Sequence, residues 1–210
     1  MWDTGLGDKL AANANGVDSG GVHMQVPVRL VDQLGKLGLA PGGCRLHRLF
    51  AFSFRPHGQR ERISQLDVDP QLERDQLGVG YASAVRRRPQ HVQRYKTAKT
   101  KMIDGDFDMF GDGSVRILKT PGHTPGHQVL ALKLAKSGTV ILSGDLYHLR
   151  DNRAHRRVPS INYERADTLA SIDRIEKIVK NTKARLVVQH DPADFKALPE
   201  VSRLSRVSPR

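Results

Sequence analysis

The sequence predicts an α+β protein, and three observations carry that prediction. Its second half holds short apolar runs separated by Gly-containing turns, as antiparallel strands require. One long amphipathic stretch follows, and a last apolar run, "ARLVVQHD", comes directly after it. A length of 210 residues is enough for one domain with a sizeable core.

In chain order, residues 1–10, "MWDTGLGDKL", read as a strand end and turn, with Gly5 and Gly7 permitting a sharp bend. "QVPVRLVDQLGKLGLAPGG" reads as a helix starting near Pro27, because proline is tolerated at the first helical position. Its Leu30, Val31, Leu34 and Leu37 share one face, and Gly38 supplies the stop. Leu49–Phe54 is apolar enough for a strand, whereas residues 58–95 show little periodicity of either kind. "DGDFDMFGDGSVRILK" predicts a hairpin turning at Gly111-Asp112-Gly113. Gln128–Ala135 reads as a strand, Ser137-Gly138 as a turn and Thr139–Ser143 as the next strand. Arg165–Asn181 is a helix with Leu169, Ile172, Ile175, Ile178 and Val179 along one side. The last strand is buried and ends at His190.

Composition removes several function classes. A single Cys44 excludes an internal disulfide. No apolar run reaches membrane-spanning length, and the first residues lack a signal-peptide core, so the expectation is a cytoplasmic protein without a membrane partner. The net charge of +12 would ordinarily raise nucleic acid as a partner. From Gly42 to Tyr95, however, there are ten Arg and no Lys, against five acidic residues, so five of the net charges come from this window alone. A basic nucleic-acid surface normally mixes both cations and interleaves aromatics that stack on bases, which this window does not. No specific nucleic acid is therefore expected, and a basic non-enzymatic nucleic-acid-binding protein stands as the rival reading.

His127, Asp145 and His190 share one property: each sits at a strand edge, where a turn or loop begins. Strand ends on one rim of a sheet converge on a point, and imidazole with carboxylate there suits zinc or a similar metal. The Pro-Gly turn before His127 aims that ring, and His123 is placed to orient a neighbour from behind. Singly these signals are weak. A strand-end histidine is more often a hydrogen-bonded structural residue, Asp after Gly commonly caps a turn, and Tyr147 by itself reads as core or rim packing.

Taken in order, "GHTPGHQ", "LSGDLYH" and "VVQHD" resemble the later metal-binding motifs of the metallo-β-lactamase superfamily. With "WDTGLGD" and the two helical segments, the chain most resembles its N-acyl homoserine lactonases, over about residues 1–41 and 96–195. The resemblance implies an αββα sandwich, here incomplete, with the second half better formed than the first. It implies one domain over 1–195, followed by a basic tail at 196–210. It implies two Zn2+ ions in the intact family, with His127 on the first metal, Asp145 bridging both as a catalytic residue and His190 on the second. Tyr147 matches a tyrosine that contacts substrate. The implied substrate is a small-molecule ester or lactone, opened by a metal-activated hydroxide. A thioester or a phosphotriester is the alternative.

The family's other ligands form a His-x-His-x-Asp-His motif, which this chain lacks. "LHRLFAFSFRPHGQRER" stands in its place, where the Lys-free window begins. Read one nucleotide later, the Ala51/Phe52 and Ser53/Phe54 junctions each allow His, Arg55/Pro56 allows Asp and Pro56/His57 allows His. Each junction permits four amino acids, so all four agree by chance roughly once in 256. We read residues about 42–95 as translated out of frame, with a divergent insertion or substrate cap as the alternative. In the family the Asp-Thr-Gly turn also follows two or three strands, whereas here only Met1 and Trp2 precede it. Three ligands for two metals imply weak or absent zinc and an impaired or inactive hydrolase.

Overall fold

A computed structural model describes residues 8–19, 21–39, 46–49, 65–68 and 103–198. Most of the Lys-free window, the Asp-Thr-Gly turn and the basic tail beyond residue 198 lie outside the described residues. So does the predicted strand beyond Leu49.

Before residue 70 the described elements are small. Asp8–Ala11 forms a helical turn, α1, at the end of the segment 1–10 that the sequence reads as a strand end and turn. Val17–Ser19 (β1) and Val22–Met24 (β2) pair as an antiparallel hairpin. Helix α2, Leu30–Lys36, begins three residues after Pro27. Its predicted stripe of Leu30, Val31 and Leu34 is half-buried, as is Leu37 just beyond it, while the residues between are exposed. Gly38, at φ +73, ends it: its N–H reaches Gly35 O at 3.0 Å and the Leu39 N–H reaches Leu34 O at 2.9 Å. That pair of bonds satisfies two terminal carbonyls that the helix cannot. Leu46–Leu49 (β3) and Gln65–Val68 (β4) form a second antiparallel pair.

The second half builds one sheet of five strands in the order β5-β6-β7-β8-β9. These are Phe107–Asp108, Val115–Lys119, Gln128–Leu134, Gly138–Leu142 and Arg185–Val187. All neighbours are antiparallel except β8 and β9, which run parallel. The predicted hairpin closes where expected because Gly111 and Gly113 take φ of +76 and +74. The Asp108 carboxylate accepts the Phe110, Gly111 and Gly113 amides across the turn.

Helix α4, Arg165–Thr182, crosses one face of this sheet and connects toward β9. Glu164 caps its first turn by accepting the Ala166 amide at 3.1 Å, and Lys183 ends it at φ +52. Its buried Thr168, Ser171, Ile172 and Ile175 recur at helical spacing, so one stripe faces the sheet. The core there joins Ile172 and Ile175 to Leu118, Val129, Ile141, Leu186 and Val188. Side chains alternate across a strand, so Ile117, Leu130, Val140 and Val187 point to the opposite face, where they are also buried. A sheet apolar on both faces is a middle layer, as the sandwich expectation requires. Two short helices were not expected: α3, Arg150–Ala154, and α5, Pro192–Lys196, capped by Asp191. No helix among the described residues is long and apolar enough to cross a membrane.

Candidate metal centre at the sheet rim

Strand directions decide which residues meet. Because β8 and β9 are parallel, their C-terminal ends lie on one rim; because β7 is antiparallel to β8, its start lies there too. The rim therefore gathers the 120–127 turn, the Gly144–Leu146 3-10 turn and the segment 188–190 after β9. Cross-ties fix these segments to each other: the Ser143 amide donates to Val187 O at 3.0 Å, and the Gly144 amide to Gln189 Oε1 at 2.8 Å.

Asp145 is at the centre, 5% exposed, with φ −91 and ψ 17 in the sparsely allowed bridge region where active-site residues often sit. Its Oδ1 is 2.7 Å from His190 Nε2, and its Oδ2 is 3.4 Å from His123 Nε2. Burial pushes the Asp145 carboxyl up, but the hydrogen bond from His190 and the imidazoles of His123 and His190 beside it outweigh it and hold the group below the usual carboxylate range.

The two imidazoles of the Gly-His-Thr-Pro-Gly-His turn are placed the other way round from the expectation. His127, expected as a ligand, is 2% exposed and stands behind the carboxylate rather than before it. Its Nδ1 lies 2.9 Å from both Thr120 Oγ1 and Thr120 O, and its Nε2 accepts the Asp145 amide at 2.9 Å. A carbonyl acceptor fixes the proton on Nδ1, which leaves the Nε2 lone pair committed to the backbone. His127 thus positions Asp145. His123, expected to stand behind, faces the carboxylate itself. Its Nδ1 donates to Asn162 Oδ1 at 3.0 Å, and Asn162 Nδ2 in turn donates to Thr168 Oγ1.

Tyr147 is the second departure. It is fully buried and its hydroxyl donates to Glu176 Oε1 of α4 at 2.7 Å, so it does not reach the rim where a substrate would lie. Arg153 grips the same carboxylate with two hydrogen bonds, at 2.8 and 2.9 Å. Burial, with the Glu176 carboxylate beside it, pushes the Tyr147 hydroxyl up. The Tyr147→Phe protein should lose about 1 kcal/mol of stability, the worth of one such hydrogen bond, read as a shifted urea midpoint with unchanged slope. The next residue, His148, was passed over in the sequence although it lies within "LSGDLYH". Its ring stacks on His190 at 5.9 Å and meets His123 edge-on at 5.6 Å.

The donor chemistry suits a borderline metal. His123 Nδ1 donates to Asn162, so its Nε2 faces a carboxylate oxygen at 3.4 Å, a spacing that a proton or a cation between the two atoms satisfies. Two ligands sharing a zinc at about 2.0–2.1 Å each stand about 3.3 Å apart, close to that separation. Numbers, however, fall short. Among the described residues no group of three His, Cys, Asp or Glu is already gathered where it could hold an ion. His123, Asp145 and His190 do not fit a two-metal centre.

No family model matches the chain. In sequence it is similar to the N-acyl homoserine lactonase AttM of Azorhizobium caulinodans, 32% identical over 100 residues, which cover 46% of this chain and 38% of that protein. It is also similar to an N-acyl homoserine lactonase of a Bacillus species, 36% identical over 91 residues, covering 43% and 35%. Among solved structures it is similar to an N-acyl homoserine lactone hydrolase with the product N-hexanoyl-L-homoserine bound at its catalytic metal centre. That match has 32% identity and a TM-score of 0.45, over 49% of this chain and 40% of the other. The chain spans about two fifths of the length of the curated relatives it matches.

Proposed function

We propose, on the premise that this is a metallo-β-lactamase-fold chain of the N-acyl homoserine lactonase kind, that it derives from a zinc-dependent hydrolase opening the ring of an acyl homoserine lactone. One observation carries the reading: a buried carboxylate with an imidazole addressing each of its oxygens, at the rim where three strand ends meet. His123 replaces His127 in the ligand set, so the proposed donors are His123, Asp145 and His190. A metal held there would supply a water of lowered pKa, near 7.

The chain's own residues prepare that place without completing it. His127 sets the height of the Asp145 turn, Asn162 sets the tautomer of His123, and Gln189 ties the His190 segment to Gly144. The opposite side of the pair would need the His-x-His-x-Asp-His residues, which the sequence does not contain. Affinity per structural zinc amounts to roughly 10–16 kcal/mol shared over about four ligands, so losing half of them removes about half of it, several orders of magnitude in Kd. The expected result for the purified chain with added zinc and N-hexanoyl homoserine lactone is ring opening no faster than in buffer, followed by acid release at constant pH. Two equivalents of tightly bound zinc with turnover would sink the proposal of an impaired enzyme. A thioester and a phosphotriester in the same assay separate the alternative substrates. The coding DNA over codons 38–100 tests the frame reading directly: a one-base displacement relative to intact relatives is expected.

A further inference from the structure

Away from the rim, a cavity of about 660 Å3 lies between α3, α4, β9 and α5. Its walls include none of His123, His127, Asp145 or His190. That volume is in the range that takes a small organic molecule. The buried Leu186 and Val188 supply an apolar floor, while Arg150, Arg153 and Arg156 supply one wall from α3 and its end.

The hydrogen-bonding capacity of this lining is one-sided. Its two carboxylates are largely spent. Glu176 accepts the Tyr147 hydroxyl and two N–H groups of Arg153, and Asp194 accepts the Val188 amide and two N–H groups of Arg150. The guanidinium groups are not spent, because each carries five N–H donors in a planar fork. Arg150 and Arg153 use two donors apiece in those bonds, and Arg156 gives one to Asp173 of α4. The three side chains are 53%, 33% and 50% exposed, so the remaining donors are open to a ligand. Three guanidinium groups against two carboxylates also leave the lining with a net positive charge.

The backbone marks the same place at Arg156. This residue sits at φ +52 just past the end of α3, with its N–H on Arg153 O at 3.3 Å and the Arg157 N–H on Asn152 O at 2.9 Å. Glycine usually provides this helix stop, because a Cβ is crowded there. Lys183 ends α4 in the same conformation, so the angle alone singles out nothing. At Arg156, however, the strained residue also forms the cavity wall, which glycine could not.

We propose that this cavity binds a phosphate monoester, with Arg150, Arg153 and Arg156 holding the phosphate and the organic group resting on Leu186 and Val188. A phosphate suits three forks better than a carboxylate does, since it offers three terminal oxygens and about 1.5–2 negative charges. Arginine meets such oxygens with paired hydrogen bonds, which a lysine could not. The site stands independently of any metal at the rim.

The test is a calorimetric titration of the purified full-length chain with phenyl phosphate. One equivalent is expected. Benzoate, with the same ring on a carboxylate, and inorganic phosphate, with nothing to cover Leu186 and Val188, should each bind about 10-fold more weakly or worse. Arg156→Gly should weaken phenyl phosphate binding by about 10-fold or more, the worth of a charged hydrogen bond. Its urea midpoint should hold or rise, because glycine relieves the left-handed position, and that separates lost binding from lost folding. Arg157→Gln removes the same charge from a neighbour outside the lining, paired with Asp151, and should leave binding unchanged. If Arg156→Gly binds like the parent, or Arg157→Gln weakens binding as much, phosphate is drawn by net charge alone and the site is overturned. Equal affinity for benzoate or inorganic phosphate would overturn the ligand class, and no binding by the folded parent would overturn the whole proposal.

Discussion

Replacing Gly122 by alanine is expected to cost about 3 kcal/mol or more and to displace His123 from the rim. Gly122 sits at φ +136, where an L side chain is strained. A Cβ there would lie 2.4 Å from the Thr168 amide nitrogen and 2.5 Å from its Cα, both backbone atoms of α4 that have nowhere to move. Backbone strain of about 1–3 kcal/mol adds to overpacking of about 1–3 kcal/mol. The close approach exists because α4 clamps the turn: Ser171 Oγ donates to Pro121 O at 2.7 Å, and the Glu164 and Tyr163 amides donate to Gly122 O and His123 O at 2.9 and 3.1 Å. Pushing the two apart breaks those bonds together. The measurement is the urea midpoint, with the His123 ring resonances as the local reporter. An unchanged midpoint and unmoved resonances would show that the turn is not clamped as described.

The second large effect belongs to His127→Ala. The substitution empties a buried site and strips the Asp145 amide of its acceptor in one step. Large-to-small changes in a core cost about 2–5 kcal/mol, and a buried amide left unpaired about 1–3 kcal/mol, so about 3–5 kcal/mol is expected after partial relaxation. His127→Asn separates the two parts, because a side-chain amide can still offer an acceptor while leaving most of the cavity. If His127 were a ligand instead of a support, its removal would abolish zinc binding and leave the urea midpoint nearly unchanged. The opposite ordering is expected: stability falls first, and metal affinity follows only as the Asp145 turn loosens.

Much of the second half was legible because its signals are local. Gly111, Gly113 and Gly138 need positive φ, and they mark turns wherever apolar runs flank them. The α4 stripe recurs at 3.6 spacing, and its predicted end at Asn181 misses the observed end by one residue. The three rim segments were found by the same reasoning, since strand ends are visible in a sequence even when their pairing is not. What the sequence could not decide was which of two histidines four residues apart faces the Asp145 carboxylate. Both sit in the same turn, and only the tertiary partners Asn162 and Thr120 decide which ring faces the carboxylate. The direction of Tyr147 was hidden for a related reason. Residues 145, 147 and 148 share a tight turn with no sequence period, so which of them points at α4 depends on Glu176, 29 positions away. Helices α3 and α5 are five residues each, too short for an apolar period to declare itself.

The parallel pairing of β8 with β9 also governs when the rim can exist at all. Val140 meets Arg185 across that pair, partners 45 positions apart with the whole of α4 between them. The β6–β7–β8 meander closes through short turns and forms quickly, but the last strand must wait for the crossover helix and for the entropy of a long closure. His190, carried just beyond β9, is therefore the final arrival, and Asp145 spends the earlier stages of folding without its nearest imidazole. Refolding followed by ring resonances should show His190 acquiring its native signal in the slowest phase, after His127 has already locked.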